Sequence, residues 1–139
     1  MSRRVVLDTS TLVSAALRIG STPHRALVEA LATCDVCASP ETLAELERVL
    51  DLKKFDRYLH RDSRREFTSM IRRHVRLFAV QSADLETVEP SCRDSEDNKL
   101  LALALLAEAD ILISSDEDLL VLHPWHELTI MTPADFLSR

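Results

Sequence analysis

The chain has 139 residues, 46% hydrophobic and 29% charged, with a net charge of −6. That length and balance fit one globular domain spanning residues 1–139, and the sign excludes gripping nucleic acid by bulk positive charge alone. The single glycine, Gly20, excludes the P-loop and the dinucleotide-binding turn, which need more than one. No apolar run reaches the roughly 20 residues of a membrane span. The first apolar run meets Asp8 too early for a secretory signal, so a cytoplasmic protein without membrane contact is expected.

Residues 5–7, Val-Val-Leu, predict a buried strand, and residues 11–18 predict a helix. Asp8 lies where the strand opens into the helix. It suits an N-cap, and equally a metal ligand at the carboxyl edge of a sheet. Pro23 opens a second helix to about residue 32. Residues 35–38 form a short strand. Ser39-Pro40-Glu41 starts a helix through about residue 50. Residues 52–59 connect to a helix over 62–75. Residues 77–80 are strand-like, and 83–93 form a loop. Ser95 opens a Leu/Ala-rich helix to residue 108. Residues 111–113 and 129–131 are the last strands. Asp118 suits the cap of a short helix over 119–122, and Thr132 opens a terminal helix. Strands separated by helices predict an α/β fold, its mainly parallel sheet covered on both faces.

Three cysteines, Cys34, Cys37 and Cys92, are too few for a disulfide framework. Cys34 and Cys37 have no second pair to complete a zinc site, and Cys37 sits in the apolar Val36-Cys37-Ala38, so core packing is expected. His123 and His126 flank Pro124-Trp125 and read as surface histidines.

The acids follow a different logic. Asp8 ends the first strand, and Asp116 closely follows the strand over 111–113. Asp94 and Asp97 stand at the start of the Leu/Ala-rich helix. Glu45 lies mid-helix, beside the pair Leu46 and Leu50. In a parallel sheet, strand ends and helix starts share one edge. Carboxylates converging there without a compensating Lys or Arg raise each other's pKa. A divalent cation resolves the repulsion, and Mg²⁺ takes oxygen ligands with only one or two direct carboxylates. One or two such ions suit hydrolysis of a phosphodiester.

The stretches VVLDTSTLVSA, SPETLAELERVL, CRDSEDNKLLALALLAEADILISSDEDLLVL and IMTPADFL span most of the chain in order. Together they resemble PIN-domain nucleases, in particular the VapC-like toxins of type II toxin–antitoxin systems. The resemblance implies a Rossmann-like α/β sandwich and a metal-dependent ribonuclease. By position it implies catalytic acids at Asp8, Glu45, Asp97 and Asp116, holding Mg²⁺ or Mn²⁺. Asp94 matches an additional acid of this subgroup, and Asp118 a structural one. Ser10 and Ser114 are the small polar residues that orient the acids. The resemblance also implies an RNA substrate, a cognate antitoxin and a homodimer. Ser115 departs from it, standing where this subgroup often has glycine.

RNA also needs cations. At helical spacing Arg65, Arg72 and Arg76 share a face, suited to phosphates or to an acidic antitoxin tail, or else simply solvated. The competing non-enzymatic reading is a PIN-fold binding module acting through protein or RNA partners. Phosphotransfer folds fit less well. A dehalogenase-like site needs an Asp where Ser10 stands, and a receiver needs an acidic pair near the first strand's end.

Overall fold

The computed structural model describes residues 2–139. Five strands form one sheet: β1 (Arg4–Leu7), β2 (Asp35–Ala38), β3 (Arg76–Leu77), β4 (Ile111–Ile113) and β5 (Thr129–Met131). The order across the sheet is β3-β2-β1-β4-β5, and every pairing is parallel. The helices are α1 (Thr9–Leu17), α2 (Thr22–Thr33), α3 (Pro40–Leu50), α4 (Arg61–His74), α5 (Ser82–Glu86), α6 (Ser95–Leu106), α7 (Glu117–Leu120) and α8 (Pro133–Ser138).

Alternation along the strands builds two cores. Val5, Leu7, Val36, Ile111 and Ile113 face α1 to α4 and α8, where Leu27, Leu46, Ile71 and Phe136 are buried. Val6, Cys37, Leu112 and Ile130 face α6 and α7, with Trp125 and Leu119. Both faces of the sheet are covered, which is why its central strands are continuously apolar. The indole Nε1 of buried Trp125 donates to the Pro90 carbonyl at 2.7 Å, so its polar end is satisfied. The Cys37 and Cys92 side chains are buried in the second core, and burial pushes both thiols up.

Local caps explain the element boundaries. Ser39 and Thr42 form a reciprocal capping box at the start of α3. Ser21 and Thr132 cap α2 and α8. α6 stops at Leu106 because the chain reverses at Glu108, whose φ is 54°. The Ala109 amide donates back to the Ala104 carbonyl at 2.9 Å, closing the reverse turn.

Three boundaries differ from the sequence expectation. β3 is Arg76–Leu77 rather than 77–80, because as an edge strand it meets only the top of β2, at Cys37 and Ala38. The loop from residue 83 is preceded and entered by α5, which packs on α6. Asp116, not Asp118, is the cap of the short helix, and Asp118 lies in its first turn.

The connection between α3 and α4 is organised from below by Arg64, which is buried. Its guanidinium donates to the carbonyls of Leu50, Leu52 and Leu59, and it pairs with Asp56. Residues 53–55 form a single 3₁₀ turn within this loop. No helix among the described residues is long and apolar enough to cross a membrane.

Candidate active site

The chain turns left from β1 to β2 and reaches β4 on the other side, so the strand order reverses between β1 and β4. In open parallel sheets the crevice at the carboxyl ends of such a pair is where ligands bind. Asp8 leaves β1 and Ser114 leaves β4 at this point. The register sets Leu7 opposite Ile113, and the Asp8 amide donates to the Ile113 carbonyl at 3.1 Å.

Asp8 is buried, and both its oxygens accept hydrogen bonds. Oδ1 caps α1 by accepting from the Thr11 amide at 2.8 Å. Ser10 adds a longer contact to Oδ1 at 3.3 Å. Oδ2 accepts from the Ser114 hydroxyl. The same Ser114 oxygen accepts from the Asp116 amide at 2.9 Å. One buried serine therefore ties the two strand ends together. Of the two serines, Ser114 holds Asp8 far more closely than Ser10 does.

Asp116 caps α7 through Oδ1, which accepts from the Asp118 amide at 2.9 Å. Asp94 caps α6, accepting from the Glu96 amide at 2.9 Å. Capping and site-building thus coincide at Asp8, Asp94 and Asp116. A carboxylate oxygen has two acceptor positions, so one cap bond leaves room for a second partner.

Asp97 projects from the first turn of α6 and is half-buried. Burial first, then its hydrogen bond with Asp116 and the charges of Asp116 and Asp94, raise its pKa to about 7. The Cys92 thiol lies 3.7 Å from Asp97 Oδ2. The stability consequence has a definite sign. Between about pH 4 and 7 the folded chain holds a proton on Asp97 that the unfolded chain has lost. Stability is therefore expected to fall as pH rises through that window and to level off above it. Urea titrations from pH 4 to 8 check this, and Asp97→Asn should flatten the slope. An equally steep fall in Asp97→Asn would remove Asp97 as its source.

A cleft of about 540 Å³ opens at this edge, lined by Asp8, Ser10, Glu45, Asp94, Asp97 and Asp116. α3 carries Glu45 on the opposite wall, on the flank of the buried Leu46. The donors are carboxylate and hydroxyl oxygens, which match the hard cations Mg²⁺ and Mn²⁺. The raised pKa of Asp97 reflects burial first and then repulsion from neighbouring carboxylates, and a bound cation would relieve that repulsion. Among the described residues, no three His, Cys, Asp or Glu side chains are close enough together to enclose a cation as they stand.

Two cations were missed by sequence reasoning. Arg48 and Lys99 also line the cleft. The expected absence of a compensating Lys or Arg is therefore corrected. The signal was available for Arg48, three residues after Glu45 and so on its side of α3. Lys99 pairs with Glu96 at 3.2 Å, and Arg48 forms no ion pair among the described residues.

The arginine face is also corrected. α4 ends at His74, so Arg76 lies on β3 and not on the helix. Arg65 pairs with Asp51 at 3.3 Å, Arg72 with Glu47, and Arg76 with Asp35 at 3.5 Å. The three have intramolecular partners and do not form one stripe. His123 and His126 are exposed, as expected, but each holds a loop. His123 Nδ1 accepts from the Ile130 amide at 2.9 Å, and His126 Nε2 donates to the Glu89 carbonyl at 2.7 Å.

An all-parallel, doubly covered sheet with carboxylates gathered at its switch point defines an α/β protein with an acidic ligand cleft. The family model of the PIN domain matches residues 4–118, and the chain belongs to that family. A search of curated proteins found no match. Solved structures share the fold at low identity. VapBC2 from Rickettsia felis, solved bound to a DNA fragment from their promoter, is 14% identical with a TM-score of 0.64. That alignment covers 93% of this chain and 98% of the other. The sarcin-ricin loop cleaving toxin VapC20 of Mycobacterium tuberculosis is 17% identical, with a TM-score of 0.59, covering 86% and 95%. PAE2754 from Pyrobaculum aerophilum is 9% identical, with a TM-score of 0.59, covering 99% and 91%.

Proposed function

We propose that this PIN domain is a divalent-metal-dependent endoribonuclease and the toxin of a toxin–antitoxin pair. The observation that carries the proposal is the Ser114 bridge. It holds Asp8 and Asp116 at adjacent strand ends, in a cleft that Asp97 and Glu45 also line.

In this reading Asp8, Asp97 and Asp116 hold Mg²⁺ or Mn²⁺. Glu45 holds a second ion or orients the attacking water, and Asp94 supports the cluster from its rim. A bound divalent ion supplies activation of water and neutralisation of charge at phosphorus. The residues supply the rest. The Thr11 amide and Ser114 hydroxyl fix the Asp8 carboxylate before any ligand arrives, which lowers the cost of organising the site. Asp97 has to release its proton to act as a ligand, so metal affinity rises with pH up to about 7. Attack of water at phosphorus breaks the bond to the 3′ oxygen, leaving 5′-phosphate and 3′-hydroxyl ends.

The family membership and the VapC-like fold support the toxin assignment, and the VapBC2 neighbour supports a cognate antitoxin. A homodimer and a cytoplasmic location belong to the same reading. The test is cleavage of an oligoribonucleotide pool with Mn²⁺, Mg²⁺ or EDTA, read by product length and end chemistry. Metal-dependent internal cuts with 5′-phosphate ends are expected. Mn²⁺ binding without cleavage of any RNA would favour a binding module, and neither binding nor cleavage would end the nuclease reading.

Ser114→Ala provides a finer check. Losing the orienting hydroxyl is expected to weaken Mn²⁺ binding by about tenfold. It also leaves the Asp116 amide unpartnered, which costs about 1–3 kcal/mol of stability. Calorimetry reads the first and urea unfolding the second. Unchanged Mn²⁺ affinity would show that Ser114 serves the fold alone.

A further inference from the structure

The connection between α3 and α4 contains Leu52-Lys53-Lys54-Phe55-Asp56-Arg57-Tyr58-Leu59-His60, in which cations and aromatic rings alternate. Its only acid, Asp56, pairs with the buried Arg64. Lys53, Lys54 and Arg57 are exposed and form no ion pair among the described residues. Arg18, at the end of α1, is likewise without one and lines the adjoining groove of about 430 Å³. In a chain of net charge −6, this concentration of unopposed positive charge is local and unusual.

The rings belong to the same surface. Tyr58 is 53% exposed, and its centroid lies 6.4 Å from that of half-buried Phe55. Lys54 lies over the Phe55 ring at 5.1 Å and Arg57 over the Tyr58 ring at 5.4 Å. Leu17 and Pro23 form the other wall of the groove. The loop is held rather than loose, because Arg64 binds the carbonyls of Leu52 and Leu59 at both its ends. Short backbone bonds from Phe55 to Leu52 and from Tyr58 to Phe55 tighten it further. A surface held in place loses little freedom on binding.

We infer that this loop is a second binding surface, remote from the acidic cleft, for a single-stranded stretch of RNA. Exposed rings offer stacking faces for bases, and interleaved cations meet the phosphates, the combination that binds single strands without sequence preference. Tyr and Arg also anchor protein interfaces, so an acidic peptide is the competing occupant that the oligoglutamate probe below distinguishes. α1 connects the two places. Asp8 caps one end of it and Arg18 the other, about 15 Å apart at 1.5 Å per residue. Exposed Ser10 lines the cleft and exposed Ser14, one turn further along α1, lines the groove, so the two places are separated by that helix alone. The inference rests on RNA being the substrate, and it makes the loop a positioning surface that touches no reacting atom.

The test measures a fluorescent 12-nucleotide single-stranded RNA by anisotropy, in EDTA, over a range of salt. The triple variant Lys53→Gln, Lys54→Gln, Arg57→Gln is expected to bind at least tenfold more weakly. Its salt slope should shrink by about 2, for three lost phosphate contacts on a single strand. Tyr58→Ala should weaken binding severalfold with the slope unchanged, and Tyr58→Phe should bind like the parent. Matching urea midpoints would exclude unfolding as the cause. No RNA binding by the parent, or variants that bind as it does, would overturn the inference. So would an oligoglutamate probe that competes equally well and ignores Tyr58→Ala. Cleavage by the parent with loop-independent binding defeats this inference alone. Loop-dependent binding without metal-dependent cleavage defeats the nuclease proposal alone.

Discussion

Asp8→Asn is expected to abolish metal-dependent RNA cleavage and to weaken Mn²⁺ binding by about a hundredfold or more, beyond what loss of an orienting partner costs. The substitution is well suited to separate chemistry from folding. Asn is as good an N-cap as Asp, so the bond from the Thr11 amide survives. The side chain keeps its volume in a buried position. What it loses is the charge and one acceptor oxygen, the atom that meets the Ser114 hydroxyl. Stability should therefore change by only about 1 kcal/mol, the scale of one hydrogen bond. Calorimetry with Mn²⁺, urea unfolding and RNA cleavage on the same preparations check the three parts together. An Asp8→Asn chain that cleaves RNA as fast as the parent would return Asp8 to capping alone. Asp116→Asn should reproduce the loss, because Ser114 joins the two acids into one site.

The largest expected effect on stability lies elsewhere, at Arg64. Its side chain is 1% exposed and serves three carbonyls and one carboxylate. Arg64→Ala leaves the carbonyls of Leu50, Leu52 and Leu59 without this donor and opens a void beneath the loop. At about 1 kcal/mol for each lost hydrogen bond, with the void added, the cost is about 3–5 kcal/mol. That is a large part of the roughly 5–15 kcal/mol that holds a typical domain folded. Urea unfolding should show the midpoint falling with the slope m unchanged. Arg64→Lys keeps the charge but loses the fork, so it should fall between the two. A loss below about 1 kcal/mol for Arg64→Ala would mean that the loop does not depend on this residue.

The elements with strong local signals were legible in the chain. Val5-Val6-Leu7 and Ile111-Leu112-Ile113 carry no polar residue, and only a strand covered on both faces needs that. Ser39-Pro40 and Thr132-Pro133 announce helix starts by capping chemistry that acts within four residues. Where local signals were weak, the boundaries moved. β3 shrank to two residues because an edge strand is only as long as its neighbour allows. Arg76 left the helix face for the same reason, since Val75 had to turn extended to enter the sheet.

By itself the sequence determined the α/β class, the parallel sheet and the identity of the clustered acids. These follow from periodicity and from residue types whose chemistry is local. The tertiary structure decided what depends on distance. It showed that Ser114 joins Asp8 to Asp116, that Arg48 and Lys99 enter the cleft, and that Arg65 and Arg72 of α4 pair with Asp51, at the end of α3, and Glu47 on it. Hydrogen bonds and ion pairs act over a few ångströms, between residues as far apart in the chain as 8 and 114. No pattern along the chain records which of them will meet.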